Sequence, residues 1–127
     1  MKTHVLLVAL LLASFAPTAH ASAVTVTLEV DVADADYKTC EIAVPAGANG
    51  GDVLDAAVAQ GCILLWTHSS FDGFGRYVTC IDAVCGAVAT YWSFWVDGEY
   101  SSVGIDGYRA TAGSVVRFNY EQWVLPL

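Results

Sequence analysis

Basic side chains are scarce in this chain: five lysines and arginines stand against thirteen aspartates and glutamates, a formal net charge of −8. A surface of that sign repels phosphates, which argues against nucleic acid as a partner. Beyond the first twenty residues there is one histidine, His68, and no CxxC spacing, so a zinc site is not expected. A nucleophile needs a base and the base an orienting acid; Ser69 and Ser70 do not reach that geometry with His68 by adjacency alone. No carboxylate run reads as a calcium loop, and no glycine-rich stretch reads as a phosphate cradle. Asp97 and Glu99 flank Gly98, but that spacing is also what a solvated hairpin gives, and Asp106 reads as a turn former. These gaps together argue against an enzyme.

Long apolar runs are also missing, with one exception. Residues 5–16 are apolar, too short to span a bilayer comfortably. They follow Lys2 and His4 and precede Ala19-His20-Ala21, a small-x-small cleavage pattern. Residues 1–21 are therefore expected to be a secretory signal peptide, leaving residues 22–127 as one exported, soluble domain. Its four basic residues (Lys38, Arg76, Arg109, Arg117) face thirteen acids, a net charge of about −9 that reads as a solubility device. The four cysteines, Cys40, Cys62, Cys80 and Cys85, all lie in this part. An even count in a small exported chain implies two disulfides, for which three connectivities exist. Cys80 and Cys85 flank a tight-hairpin candidate; pairing them leaves Cys40 with Cys62, and this is the preferred arrangement.

The rest of the chain is patterned for sheet. Val24, Val26, Leu28, Val30 and Val32 alternate with Thr25, Thr27, Glu29 and Asp31, the mark of a half-buried strand. A turn is expected over residues 33–37 and a second strand over 38–44, closing a hairpin. After the glycine-rich residues 45–51, Asp52 is expected to cap a helix over residues 53–60, with Val53, Leu54, Ala57 and Val58 as its apolar stripe and Gly61 as its stop. Strands are expected over 63–66, 76–81, 91–96, 100–103 and 115–120, a polar loop over 68–75, and turns at Asp82-Ala83, Asp97-Gly98, Asp106-Gly107 and Ala112-Gly113. In the last strand Val116, Phe118 and Tyr120 make the core face. Strand, strand, helix, then several strands is an α+β order; one helix laid across a mixed sheet is β-grasp-like.

The expected strand at 91–96 carries rings on both faces. Tyr91, Ser93 and Trp95 point one way, and Trp92, Phe94 and Val96 the other. One face can cover the core of a small domain; the other must meet a loop, a partner or a ligand. Either Trp92 with Phe94 or Tyr91 with Trp95 could form a flat apolar platform, enlarged by Trp66 and Trp123. The alternative is that residues 71–76 fold over the second face and make a second small core.

The segments VPAGANGGDVLDAAVAQG, GFGRYVTCIDAV, YWSFWVDGEYSSVGIDGY and AGSVVRFNYE occur in the order seen in the DUF4430 family. That family is similar to the C-terminal β-domain of transcobalamin and intrinsic factor, extracellular carriers of vitamin B12. The resemblance runs over nearly all of residues 24–121. It implies a β-grasp-like fold, a secreted or cell-surface setting, no built-in cofactor, and a non-enzymatic binding role with cobalamin or another corrinoid as ligand. Carried over residue by residue, the contact strand matches Tyr91, Trp92, Ser93 and Phe94, with Trp95 beside them. The alternative role is an extracellular protein-interaction or adhesion module that uses the same surface.

Overall fold

The computed structural model describes residues 22–32 and 36–123. The signal peptide expected over 1–21 and most of the turn expected over 33–37 lie outside them. β1 (Ala23–Val32) and β2 (Asp36–Pro45) pair antiparallel as a hairpin. α1 (Gly50–Ala59) follows, then β3 (Trp66–Phe71), β4 (Gly75–Ile81), β5 (Val84–Cys85), β6 (Thr90–Val96), β7 (Glu99–Tyr100) and β8 (Val115–Gln122). A five-stranded sheet runs β2-β1-β8-β6-β7 and a three-stranded sheet runs β3-β4-β5. β8 lies parallel to β1 and antiparallel to β6. The fold is α+β and β-grasp-like: a mixed sheet with one helix packed across it.

Strand alternation decides which side the helix covers. Val26, Leu28 and Val30 of β1, Ile42 and Val44 of β2, and Val116 and Phe118 of β8 are buried together with Val53, Leu54 and Ala57 of α1. Burying such side chains contributes about 1.5–3 kcal/mol each. The opposite face is polar: Thr27 donates to Glu41 at 2.9 Å, and Arg117 pairs with Asp31 at 2.6 Å. Both expected disulfides are formed, Cys40–Cys62 and Cys80–Cys85. The first ties β2 to the segment after α1; the second closes the hairpin of β4 and β5.

Four expectations are corrected. The helix starts at Gly50 and is capped by Asn49, not Asp52. Asp52 is the third helical residue; it accepts the Asn49 N–H (3.0 Å) while the Asn49 side chain accepts the Asp52 N–H (2.8 Å), a reciprocal capping box. Glycine suits the first helical position because a Cβ on Gly50 would lie 2.8 Å from the Ile105 Cβ and 3.1 Å from its backbone, while one on Gly51 would meet the end of the Arg76 side chain. Second, residues 63–66 are not a strand. Gly61 stops the helix with φ +78°, Ile63 drops into the core at 2 % exposure, and Leu64 and Leu65 are held by their N–H groups on the Asp82 carboxylate. Third, the first half of the polar loop expected over 68–75 belongs to β3. Its residues 67–71 are exposed on both faces, so no two-residue period betrays it; the ladder to β4 and a Thr67–Thr79 hydroxyl bond (2.7 Å) hold it. The strand expected over 100–103 also ends early, its ladder to β6 stopping at Tyr100.

At the outer edge of β2 the Gln60 side chain meets the backbone of Ala43 twice. Its Oε1 accepts the Ala43 N–H at 3.1 Å, and its Nε2 donates to the Ala43 carbonyl at 2.9 Å.

Candidate functional site: an aromatic-lined groove

β6 places its rings as the alternation requires, and much of their area is spent inside the chain. On the core side Trp92 is 7 % exposed. Its indole N–H donates to the Val84 carbonyl at 3.0 Å, and its ring lies 5.2 Å from that of Tyr120. Phe94 stacks on Phe118 at 5.2 Å and meets Tyr108 edge-on at 5.8 Å. On the other side Tyr91 stacks on Trp123 at 4.1 Å and donates its hydroxyl to Glu121 at 2.9 Å. That bond, with some burial, pushes the Tyr91 phenol up to about 12. Ser93 is buried; it accepts the Trp95 indole N–H at 2.8 Å and donates to the Asn119 carbonyl. Trp95 also meets the Tyr100 ring edge-on at 5.5 Å. Tyr91, Phe94, Trp95 and Val96 remain half-buried, so neither side of the strand is sealed, and neither is a bare platform.

The open ring area lies one strand further out. Phe71, Phe74, Tyr77, Tyr100 and Trp123 are all exposed, Phe74 at 78 % and Tyr100 at 61 %. With Tyr91 and Trp92 they line a groove of about 540 Å³ between β4, the turn before it and β6. A smaller hollow of about 300 Å³ adjoins it, walled by Arg76, Val78, Phe94 and the segment from Ser101 to Ile105. The turn at residues 72–74 does not close over these hollows: Phe71 lies back on Tyr77 (4.9 Å) and Phe74 stands in water. Of the two outlying tryptophans, Trp123 joins the groove. Trp66 does not; its indole bonds Asp55 at 2.8 Å and its ring lies under the Arg76 guanidinium, 5.7 Å away.

Sequence reasoning missed Phe71, Phe74, Tyr77 and Tyr100 as part of this surface. A signal was present: Phe71 and Phe74 bracket Asp72-Gly73, and large rings on a turn of that kind cannot all turn inward.

The wall of the groove is fixed by charge. Asp106 accepts from the Arg76 side chain at 2.6 and 2.9 Å and from its backbone N–H at 2.8 Å. Those bonds hold the Asp106 carboxyl below the usual carboxylate range. Asp106 is thus more than a turn former. Asp97 does form its turn, with φ +51°, and accepts the Val115 N–H at 2.8 Å. His68 lies exposed on β3, its ring 5.3 Å from Trp66. Among the described residues no three His, Cys, Asp or Glu side chains gather as metal ligands would, and no helix is long and apolar enough to cross a membrane. The geometry offers apolar contact area with a few polar groups at its rim, which suits binding.

The fold and this groove can be set beside known proteins. The family described as "Domain of unknown function (DUF4430)" matches residues 64–122. No curated protein matches the chain. Among solved structures, haptocorrin in complex with Cbi superposes with a TM-score of 0.72 at 22 % identity, over 82 % of this chain and 26 % of that one. The chain therefore spans about a quarter of haptocorrin's length. A protein from Ruminococcus gnavus ATCC 29149, described as "a putative metal binding protein", superposes with a TM-score of 0.66 at 17 % identity, over 80 % of this chain and 99 % of that one. Residues 64–122 thus match the DUF4430 family model, and the chain shares its fold with the matched quarter of haptocorrin.

Proposed function

We propose that the chain is a secreted, non-enzymatic binding module whose groove receives a planar apolar ligand, with a corrinoid such as cobalamin as the candidate. The observation that carries this reading is the cluster of exposed rings (Phe71, Phe74, Tyr77, Tyr100 and Trp123) around one groove, in a fold shared with a protein whose structure holds Cbi. Aromatic rings give large contact area at low entropy cost. An open groove of this kind takes one edge of a large ligand and leaves the rest for solvent or a second partner. The two disulfides favour an oxidising, extracellular setting.

Of the four tryptophans, Trp92 and Trp123 line the groove and can report on the ligand. Titration of the purified domain with cobalamin should quench tryptophan emission saturably, and Phe74→Ala and Trp123→Ala should each weaken the response. A flat trace at high cobalamin would overturn the corrinoid reading.

A second reading is an extracellular protein-interaction or adhesion module. It is favoured by the rings' position on an open rim, as in the aromatic anchors of protein interfaces. In that case cobalamin leaves the emission unchanged, while a bound protein partner is lost on Trp123→Ala.

A further inference from the structure

On the other side of Tyr100 lies a hollow of different chemistry. It measures about 610 Å³ and sits where the β6–β7 hairpin meets the segment leading to β8. Its lining is mainly polar and mixes carboxylate, hydroxyl and guanidinium groups: Asp97, Glu99, Ser101, Ser102, Arg109 and Thr111. Much of their hydrogen-bonding capacity is unspent. Among the described residues the side chains of Glu99, Ser102 and Thr111 have no partner. Asp97 commits only Oδ1, to the Val115 N–H, and Arg109 commits only Nη1, to the carbonyls of Asp106 and Tyr108. Above them stands Tyr100, 61 % exposed, its ring set at 89° to that of Trp95.

We propose that this hollow binds a neutral saccharide. A pyranose offers an apolar C–H face that packs on a ring such as Tyr100, and adjacent hydroxyls that donate in pairs to a carboxylate and accept from a guanidinium. The groups needed for both are here within one concave surface. Charge selects among saccharides: Asp97 and Glu99 outnumber Arg109, and the whole chain carries −8, so sulfated and uronic-acid sugars are repelled. A lysine-rich peptide would satisfy the carboxylates, but it would meet Arg109 as a like charge and leave the hydroxyls unused. The site rests on different residues from the apolar groove, apart from Tyr100 and its neighbours Ser101 to Val103, and does not depend on a corrinoid.

The test is an amide-resolved NMR titration of the domain with neutral tetrasaccharides of glucose, mannose, galactose or N-acetylglucosamine. At least one should shift the amides of Glu99, Ser101, Ser102 and Arg109 saturably at millimolar concentration. Glu99→Gln and Ser102→Ala, both at exposed positions that the fold tolerates, should each weaken that binding by about fivefold or more. Leu64→Ala, exposed and outside both hollows, should leave it unchanged. The proposal is overturned if no saccharide moves these amides, if a lysine-rich peptide moves them and the saccharides do not, or if the shifts are indifferent to Glu99→Gln and Ser102→Ala.

Discussion

Asp106 grips Arg76 with both carboxylate oxygens: Oδ1 takes Nη2 at 2.6 Å and Nε at 2.9 Å, while Oδ2 takes the backbone N–H at 2.8 Å. One side chain thereby ties the wall of the groove to β4. Asp106→Asn should cost about 1 kcal/mol in urea unfolding, since a pair with this much solvent contact is screened. Hydrogen exchange should quicken at Gly107 and Gly50, whose N–H groups donate to the Gly104 and Ile105 carbonyls of the freed wall. Unchanged exchange there would show that the ion pair is not what holds it.

The same pair sets an acid limit. Arg76 depresses the Asp106 carboxyl, so on acidification the unfolded chain takes up the proton first, near pH 4. The stabilisation is complete above that value and is lost as pH falls through the lower, folded one. A plot of Tm against pH should therefore have a shallower acid limb in Asp106→Asn than in the unaltered chain.

Tyr91 behaves in the opposite sense at the alkaline end. Its phenol, donating to Glu121, is pushed up to about 12. The stabilisation is fully present below the unfolded value near 10 and is lost as pH rises through the folded one. Ultraviolet titration should find two late-ionising tyrosines, Tyr91 and the buried Tyr108, whose phenol burial also pushes up, and Glu121→Gln should bring only the Tyr91 ionisation to lower pH.

The two disulfides should differ in weight. Cys40–Cys62 spans 22 residues and Cys80–Cys85 spans 5. Loop-closure entropy then gives about 3 kcal/mol for the first and about 2 for the second. Denaturant melts of the paired Cys→Ala variants should keep that order.

Gly50→Ala should destabilise by about 1–3 kcal/mol through overpacking, although alanine is the better helix former. The added methyl would meet the Ile105 Cβ at 2.8 Å and its backbone at 3.1 Å, so relief requires the chain itself to move. A melt with no loss of Tm would show that the Ile105 segment yields.

Elements with one wet and one dry face were legible in the sequence. β1 announces itself by strict alternation from Val24 to Val32, and Val116 and Phe118 were placed on the core face for the same reason. The pairing of Cys80 with Cys85 followed from their closeness across a turn. Illegible were features set by distant parts of the chain. β3 is exposed on both faces and exists because β4 lies beside it. Gly50 and Gly51 read as loop residues, yet the Asn49–Asp52 capping box carries the helix back over them, and Ile105 crowds the space where a Gly50 side chain would go. The surplus of rings in Tyr91–Val96 was visible; that Trp123, Tyr120 and Ser93 absorb much of it was not, since those contacts join residues brought together only by the folded sheet.

The paired contact of Gln60 with Ala43 has a consequence for solubility. A ten-residue border strand with free N–H and C=O groups is a template on which another copy could add itself, the first step toward fibrils. The carboxamide imitates one rung of the missing neighbour and occupies the site where such growth would register. A single side chain at the close of the helix thus covers one rung of that border against edge-to-edge addition.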